Sequence, residues 1–147
     1  MEGCLLVMIS FEALIREHDE LDAMAIALQA SVEHSDIDGA IAQRALLAAA
    51  LSAHLEREDA HVYPKLMACT DGATAMTAQT FADQFLNLAE DWRAHLEAWN
   101  GETARAHPSA FKSETNAILL RLRERIREEN VLLYPTALRA SVITLRA

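Results

Sequence analysis

Apolar residues recur at spacings of three and four in four successive segments, and each stripe carries polar residues at mid-length. Such spacing marks amphipathic helices whose apolar faces must find one another. The first stripe reads Phe11, Leu14, His18, Leu21, Ala25, Leu28 and Val32, behind Ser10 as an N-cap. A turn at Ser35-Asp36-Ile37-Asp38-Gly39 separates it from the second, which runs from Ile41 through Leu47, Leu51, His54 and Glu58 to Val62. Pro64 ends or kinks that helix because proline has no N–H to donate. The third stripe, Phe81, Phe85, Leu88, Trp92, His95 and Trp99, stops at Asn100-Gly101. The fourth opens after Pro108 with Phe111, Thr115, Ile118, Leu122, Arg125, Glu129 and Leu132, and Pro135 breaks it. Four helices of about 20 residues with short links predict an all-α fold, an antiparallel up-down-up-down four-helix bundle. Residues 1–147 read as a single domain.

Composition agrees with this expectation. Of the 147 residues, 52% are apolar but only 5% aromatic, a mixture rich in Ala and Leu that suits helices better than sheets. The formal charge of −9 argues against a nucleic-acid partner, which needs clustered Lys and Arg. Arg121, Arg123, Arg125 and Arg127 do cluster, but Glu124, Glu128 and Glu129 interleave with them, the pattern of an ion-paired helix face. Cys4 and Cys69 form no CxxC pair or disulfide framework and read as free thiols in a reducing compartment. The apolar start from Met1 to Ile9 lacks the basic region of a signal peptide, and no run reaches the ~18 apolar residues of a membrane span. The expectation is a soluble, cytoplasmic protein with no membrane partner.

Inward polar residues are costly unless paired or bound to something. His18, His54 with Glu58, His95, and Arg125 with Glu129 lie on the four stripes in turn. Residues four apart project from one side of a helix, so His54 and Glu58 converge. Imidazoles and carboxylates meeting in a bundle core suit iron, manganese or zinc. His18, His54, Glu58, His95 and Glu129 are therefore the candidate metal ligands. His61 shares the face of Glu58 but reads as a half-exposed residue below the site. His34 and His107 sit at helix ends, and Trp92 and Trp99 read as core walls. Asp22 and Asp91, one turn from His18 and His95, read as solvated charges or as carboxylates that orient an imidazole.

The end of the second stripe recurs at the end of the fourth. His54-Leu55-Glu56-Arg57-Glu58-Asp59-Ala60-His61-Val62-Tyr63-Pro64 aligns with Arg125-Ile126-Arg127-Glu128-Glu129-Asn130-Val131-Leu132-Leu133-Tyr134-Pro135. Together with Glu17-His18 and His95, these pieces resemble a bacterial hemerythrin-like (HHE cation-binding) domain over nearly the whole chain. The resemblance implies a non-haem di-iron site. His18 and His54 would hold one iron, His95 would help hold the other, and Glu58 and Glu129 would bridge them. It also implies roles in binding or sensing oxygen, nitric oxide or redox state, or in storing iron, and not a classical enzyme.

Arg125 departs from that pattern, standing where the family has a histidine. A guanidinium offers no lone pair to a metal and stays charged. The site then holds one metal, or two weakly, or none, with Arg125 neutralising Glu58 and Glu129 as a fixed internal cation. A second dication beside a buried Arg meets a Coulomb cost of several kcal/mol even at an effective dielectric of ~20, which places one metal or none ahead of two. The functional expectations are a hemerythrin-like iron protein that binds a metal ion and a small diatomic ligand, or a degenerate metal-free bundle serving as an interaction or regulatory domain. A di-iron oxidase is disfavoured because the sequence lacks the Glu-x-x-His pairs on two helices that such bundles use.

Overall fold

The computed structural model describes residues 8–145, so Cys4 and most of the apolar start lie outside the described residues. The fold is all-helical: α1 (Phe11–Glu33), α2 (Ile37–His61), α3 (Tyr63–Met67), α4 (Gly72–Ala98), α5 (Gly101–Ala106), α6 (Pro108–Glu128) and α7 (Tyr134–Arg139). A π-helical turn, Glu129–Leu133, joins α6 to α7. The extended backbone among the described residues amounts to a parallel bridge between Ser10 and Thr144.

Capping residues explain where the helices begin. The Ser10 side chain accepts the Ala13 N–H at 3.1 Å and opens α1. Asp36 does the same for Gly39 and starts α2 at Ile37, ahead of the expected Ile41. Asp71 caps α4, so the stretch around Thr70-Asp71-Gly72 is a helix start and α4 begins about two and a half turns before its apolar stripe. Asn100-Gly101 ends one helix and opens another: Asn100 and Thr103 form a reciprocal capping box for α5.

Pro64 and Pro135, which close the repeated segments, behave differently. Val62, at φ −115° and ψ −67°, is distorted from regular helix just before Tyr63-Pro64, and this distortion separates α2 from α3. Pro135 was expected to break the fourth helix, yet helical structure continues to Arg139. Proline cannot donate to the carbonyl four residues back and its ring crowds that carbonyl. The chain answers by widening one turn, so that the Tyr134 N–H bonds to the Glu129 carbonyl five residues earlier.

α1 packs along α2 and α6, and α4 packs against α6. Their apolar faces form two cores. One contains Leu21, Leu28, Leu47, Leu51, Leu88, Phe111 and Leu122. The other contains Leu14, Val62, Leu66, Phe81, Leu133 and Tyr134. Along α1, α2 and α6 the change of core brackets inward polar residues: His18 between Leu14 and Leu21, His54 and Glu58 between Leu51 and Val62, Arg125 and Glu129 between Leu122 and Leu133. A polar layer therefore separates two dry ones. Outside, Arg121 pairs with Asp91 at 2.6 Å and Arg123 with Asp22 at 2.7 Å, exposed or half-buried bridges whose contribution is modest.

His95 lies away from that layer. It sits near the C-terminal end of α4, where Nε2 meets the Thr115 hydroxyl at 2.9 Å and Nδ1 accepts from the Arg44 guanidinium at 3.1 Å. Its ring stacks on Trp92 with centroids 6.1 Å apart. Arg44 also donates to the backbone carbonyls of His95 and Trp99, closing off the end of α4. Both nitrogens of His95 are thus used within the core.

Burial, followed by the charge of Arg44, lowers the His95 pKa from 6.5 to about 4. Between those values the unfolded chain binds a proton at this position and the folded chain does not, so stability falls as pH drops through the interval. Urea denaturation with chelator present should show wild type losing stability more steeply between pH 6.5 and 4 than His95→Gln. Parallel curves would count against the neutral, Arg44-bound imidazole.

Candidate metal centre

Four of the five expected ligands meet in the polar layer. One ligand atom from each of His18, His54, Glu58 and Glu129 lies within 4.8 Å of all the others, and all four residues are buried. The Nε2 atoms of His18 and His54 are 3.1 Å apart. His54 Nε2 lies 2.7 Å from a Glu58 oxygen, and His18 Nε2 lies 3.4 Å from a Glu129 oxygen. Donor atoms held about 2.1 Å from one ion are separated by roughly 3.0–3.4 Å, so these spacings match the edges of a coordination polyhedron.

The outer ring nitrogens explain why the inner ones carry lone pairs. His54 Nδ1 donates to a Glu17 carboxylate oxygen at 2.8 Å, and Glu17 is itself held by Arg57 at 3.0 Å. His18 Nδ1 donates to the Asn130 side-chain oxygen at 2.6 Å. With Nδ1 protonated, each neutral imidazole turns an unprotonated Nε2 inward, the arrangement that metal-bound histidines use. Two imidazole acceptors and two carboxylates then face one another in a dry layer. Such a set needs protons or a cation between its members.

Proton positions reflect this crowding. Burial, then the neighbouring Glu129 charge, raises the Glu58 carboxyl well above the usual range. Burial raises Glu129 as well, but its contacts with His18 and Glu58 and the Arg125 charge outweigh it, leaving Glu129 ionised. One proton therefore serves both carboxyls. The Tyr134 hydroxyl reaches the same spot, 2.8 Å from His18 Nε2 and 3.4 Å from His54 Nε2.

Arg125 occupies the other side of the layer. Its Cζ lies 4.6 Å from the Phe81 ring centre and 5.3 Å from that of Phe85. Nη2 donates to the Tyr63 hydroxyl, which in turn donates to Glu129 at 3.0 Å. Nε is 3.9 Å from Glu129, and among the described residues neither Nε nor Nη1 has a hydrogen-bond partner. Phe81 and Phe85, not His95, are the α4 residues at this depth. His95 is ten residues beyond Phe85, about 15 Å along the helix axis. The structure thus places His95 apart from the other four, beside Arg44 and Thr115.

Several site residues carried no role in the sequence reading. Tyr63 and Tyr134 stood out only as the ends of the repeat. Glu17 was visible beside His18, but nothing in its spacing showed that it would turn to His54. Asn130 reaches His18 from within the π-helical turn, a register that periodicity cannot foresee. Asp22 and Asp91, the alternatives considered for orienting imidazoles, pair with Arg123 and Arg121 instead.

The hemerythrin HHE cation binding domain matches residues 9–137. No curated protein and no solved structure matches the chain. The match spans α1 to within α7 and so includes every residue of the buried cluster. The chain belongs to the hemerythrin HHE cation-binding domain family.

Proposed function

We propose that this domain binds one non-haem iron ion through His18, His54, Glu58 and Glu129, and that Arg125 stands in for the second metal of a hemerythrin-type site. The four long helices are read as the antiparallel up-down-up-down bundle. The observation that carries the proposal is the pair of inward Nε2 atoms 3.1 Å apart, each fixed by an acceptor on its outer nitrogen. Neutral imidazole with carboxylate suits iron, zinc or manganese, and the family favours iron.

One ion is favoured over two on chemical grounds. The second position is lined by Phe81, Phe85 and the guanidinium, none of which has a lone pair for a metal. Arg125 supplies there the positive charge that Glu129 requires, at a distance that needs no exogenous ion. A further dication would meet that buried charge across a few ångströms, a repulsion of several kcal/mol at an effective dielectric of ~20.

A bound iron ion supplies redox activity and a position for a small ligand. The protein's part is to hold two imidazoles in one tautomer, to keep Glu129 ionised through Arg125 and Tyr63, and to exclude water with an apolar core on either side. Nothing in this set provides a positioned nucleophile or a substrate pocket, and we assign a binding role, sensing or holding iron, oxygen, nitric oxide or redox state, rather than an enzymatic one. Glu58 must give up its proton to coordinate, so metal affinity should weaken as pH falls.

Metal analysis after iron loading should give one equivalent for wild type and for His95→Gln, and far less for His54→Ala. Chelator should lower the melting temperature of the loaded protein, since saturation at 100 times Kd is worth about 2.7 kcal/mol. Wild type that takes up no metal and is indifferent to chelator would instead support the metal-free bundle. Arg125→His should remain at one equivalent, because Phe81 and Phe85 still offer no ligand. Two equivalents in that variant would make Arg125 alone the barrier to a second ion.

A further inference from the structure

The two tyrosines that close the repeated segments have opposite surroundings. The Tyr63 oxygen receives a hydrogen bond from Arg125 and gives one to Glu129, so its polar partners are a donor and an acceptor. The Tyr134 oxygen faces acceptors: His18 Nε2 at 2.8 Å, His54 Nε2 at 3.4 Å and a Glu58 oxygen at 3.4 Å. A phenol has one proton to give, so it can satisfy one of these contacts and leaves its own lone pairs aimed at the rest. A cation at the centre resolves all of them together.

We propose that Tyr134 is itself a ligand of the metal, binding through its phenolic oxygen as a fifth donor; this rests on the single-metal reading above. Its distances to His18, His54 and Glu58 fall in or near the roughly 3.0–3.4 Å expected between donors sharing one ion. The side chain is fully buried and already oriented. Its ring stacks on His18 at 4.9 Å and meets the Phe11 ring edge-on at 6.5 Å, so little rearrangement is needed.

Coordination breaks the phenol O–H bond as the metal–oxygen bond forms; the proton passes to solvent and no electron is transferred. The charges then favour the ligand. Glu58, Glu129 and the phenolate balance a ferric ion among themselves, and with a ferrous ion Arg125 completes the balance. In the ferrous state the cation that displaces a second metal is thus the one that makes a third anionic oxygen tolerable. Phenolate is an established type of iron ligand in proteins and a hard anionic donor, which suits the ferric state.

Phenolate bound to ferric iron gives a ligand-to-metal charge-transfer band in the visible and resonance-enhanced tyrosine ring vibrations. The test is to load the full chain with ferrous iron without oxygen, oxidise it with ferricyanide, and record iron content, absorption and resonance Raman spectra. Wild type should show one equivalent of iron and both signatures. Tyr134→Phe should keep most of its iron and lose both signatures. The chain has two tyrosines, so in Tyr63→Phe any phenolate signature must come from Tyr134; this variant should retain the band and remains informative if Tyr134→Phe does not fold. Iron at one equivalent with no band in wild type or Tyr63→Phe overturns the ligand assignment while leaving the metal reading intact, as does a band that survives in Tyr134→Phe. A chain that takes up no iron overturns the metal reading itself and this inference with it.

Discussion

The structure depends on a crowd of hydrogen-bond acceptors held where water is excluded. Two imidazole nitrogens and two carboxylates converge from α1, α2 and the junction of α6 with the π-helical turn, with apolar cores on both sides. Their mutual repulsion rises as the surroundings become less polar. Such an arrangement would be selected against as mere packing, since apolar residues of similar volume would be at least as stable. The same environment that penalises the empty set strengthens its grip on a cation.

Arg125 changes how that repulsion is met. Glu129 has its positive charge built into the chain, 3.9 Å away, whereas Glu58 keeps its carboxyl neutral with a proton. The two halves of the repeat have therefore divided the work. The His54 half supplies an imidazole–carboxylate pair that could hold a metal, and the Arg125 half supplies one carboxylate and a permanent charge. Phe81 and Phe85 cover the guanidinium faces where a histidine pair at the same spacing would have offered lone pairs. Guanidinium over aromatic faces is itself favourable when desolvated, by about 2 kcal/mol.

Much of this was legible in the sequence, because helical periodicity and ligand chemistry both act locally. The stripes placed His18, His54, Glu58, Arg125 and Glu129 inward, and all five are buried. His95 shows the limit. Its stripe was read from Phe81 to Trp99, which put His95 inside the site. The Asp71 cap starts the helix at Gly72, and the depth of the site falls instead at Phe81 and Phe85. Periodicity reports the face a residue takes but not its height, which depends on helix ends fixed by single caps. Arg44 lies three residues after Ile41 and three before Leu47, on the same helix face, yet its use as a clasp on His95 and Trp99 depends on a contact between α2 and α4 that no local pattern encodes.

The π-helical turn connects the site to the rest of the chain. Glu129 opens it and Tyr134 lies immediately after it, so the spacing between a buried carboxylate of the cluster and a phenol is set by one non-standard turn. Beyond Tyr134, Ala137 receives the Val142 and Ile143 N–H groups, and Thr144 exchanges backbone bonds with Ile9 and Phe11 beside the cap of α1, the helix that carries His18. The path from Glu129 through the C-terminal segment to His18 is thus a closed mechanical loop. A change in the width of that turn would therefore be passed to both of its ends, to Glu129 and Tyr134 on one side and to the start of α1 on the other.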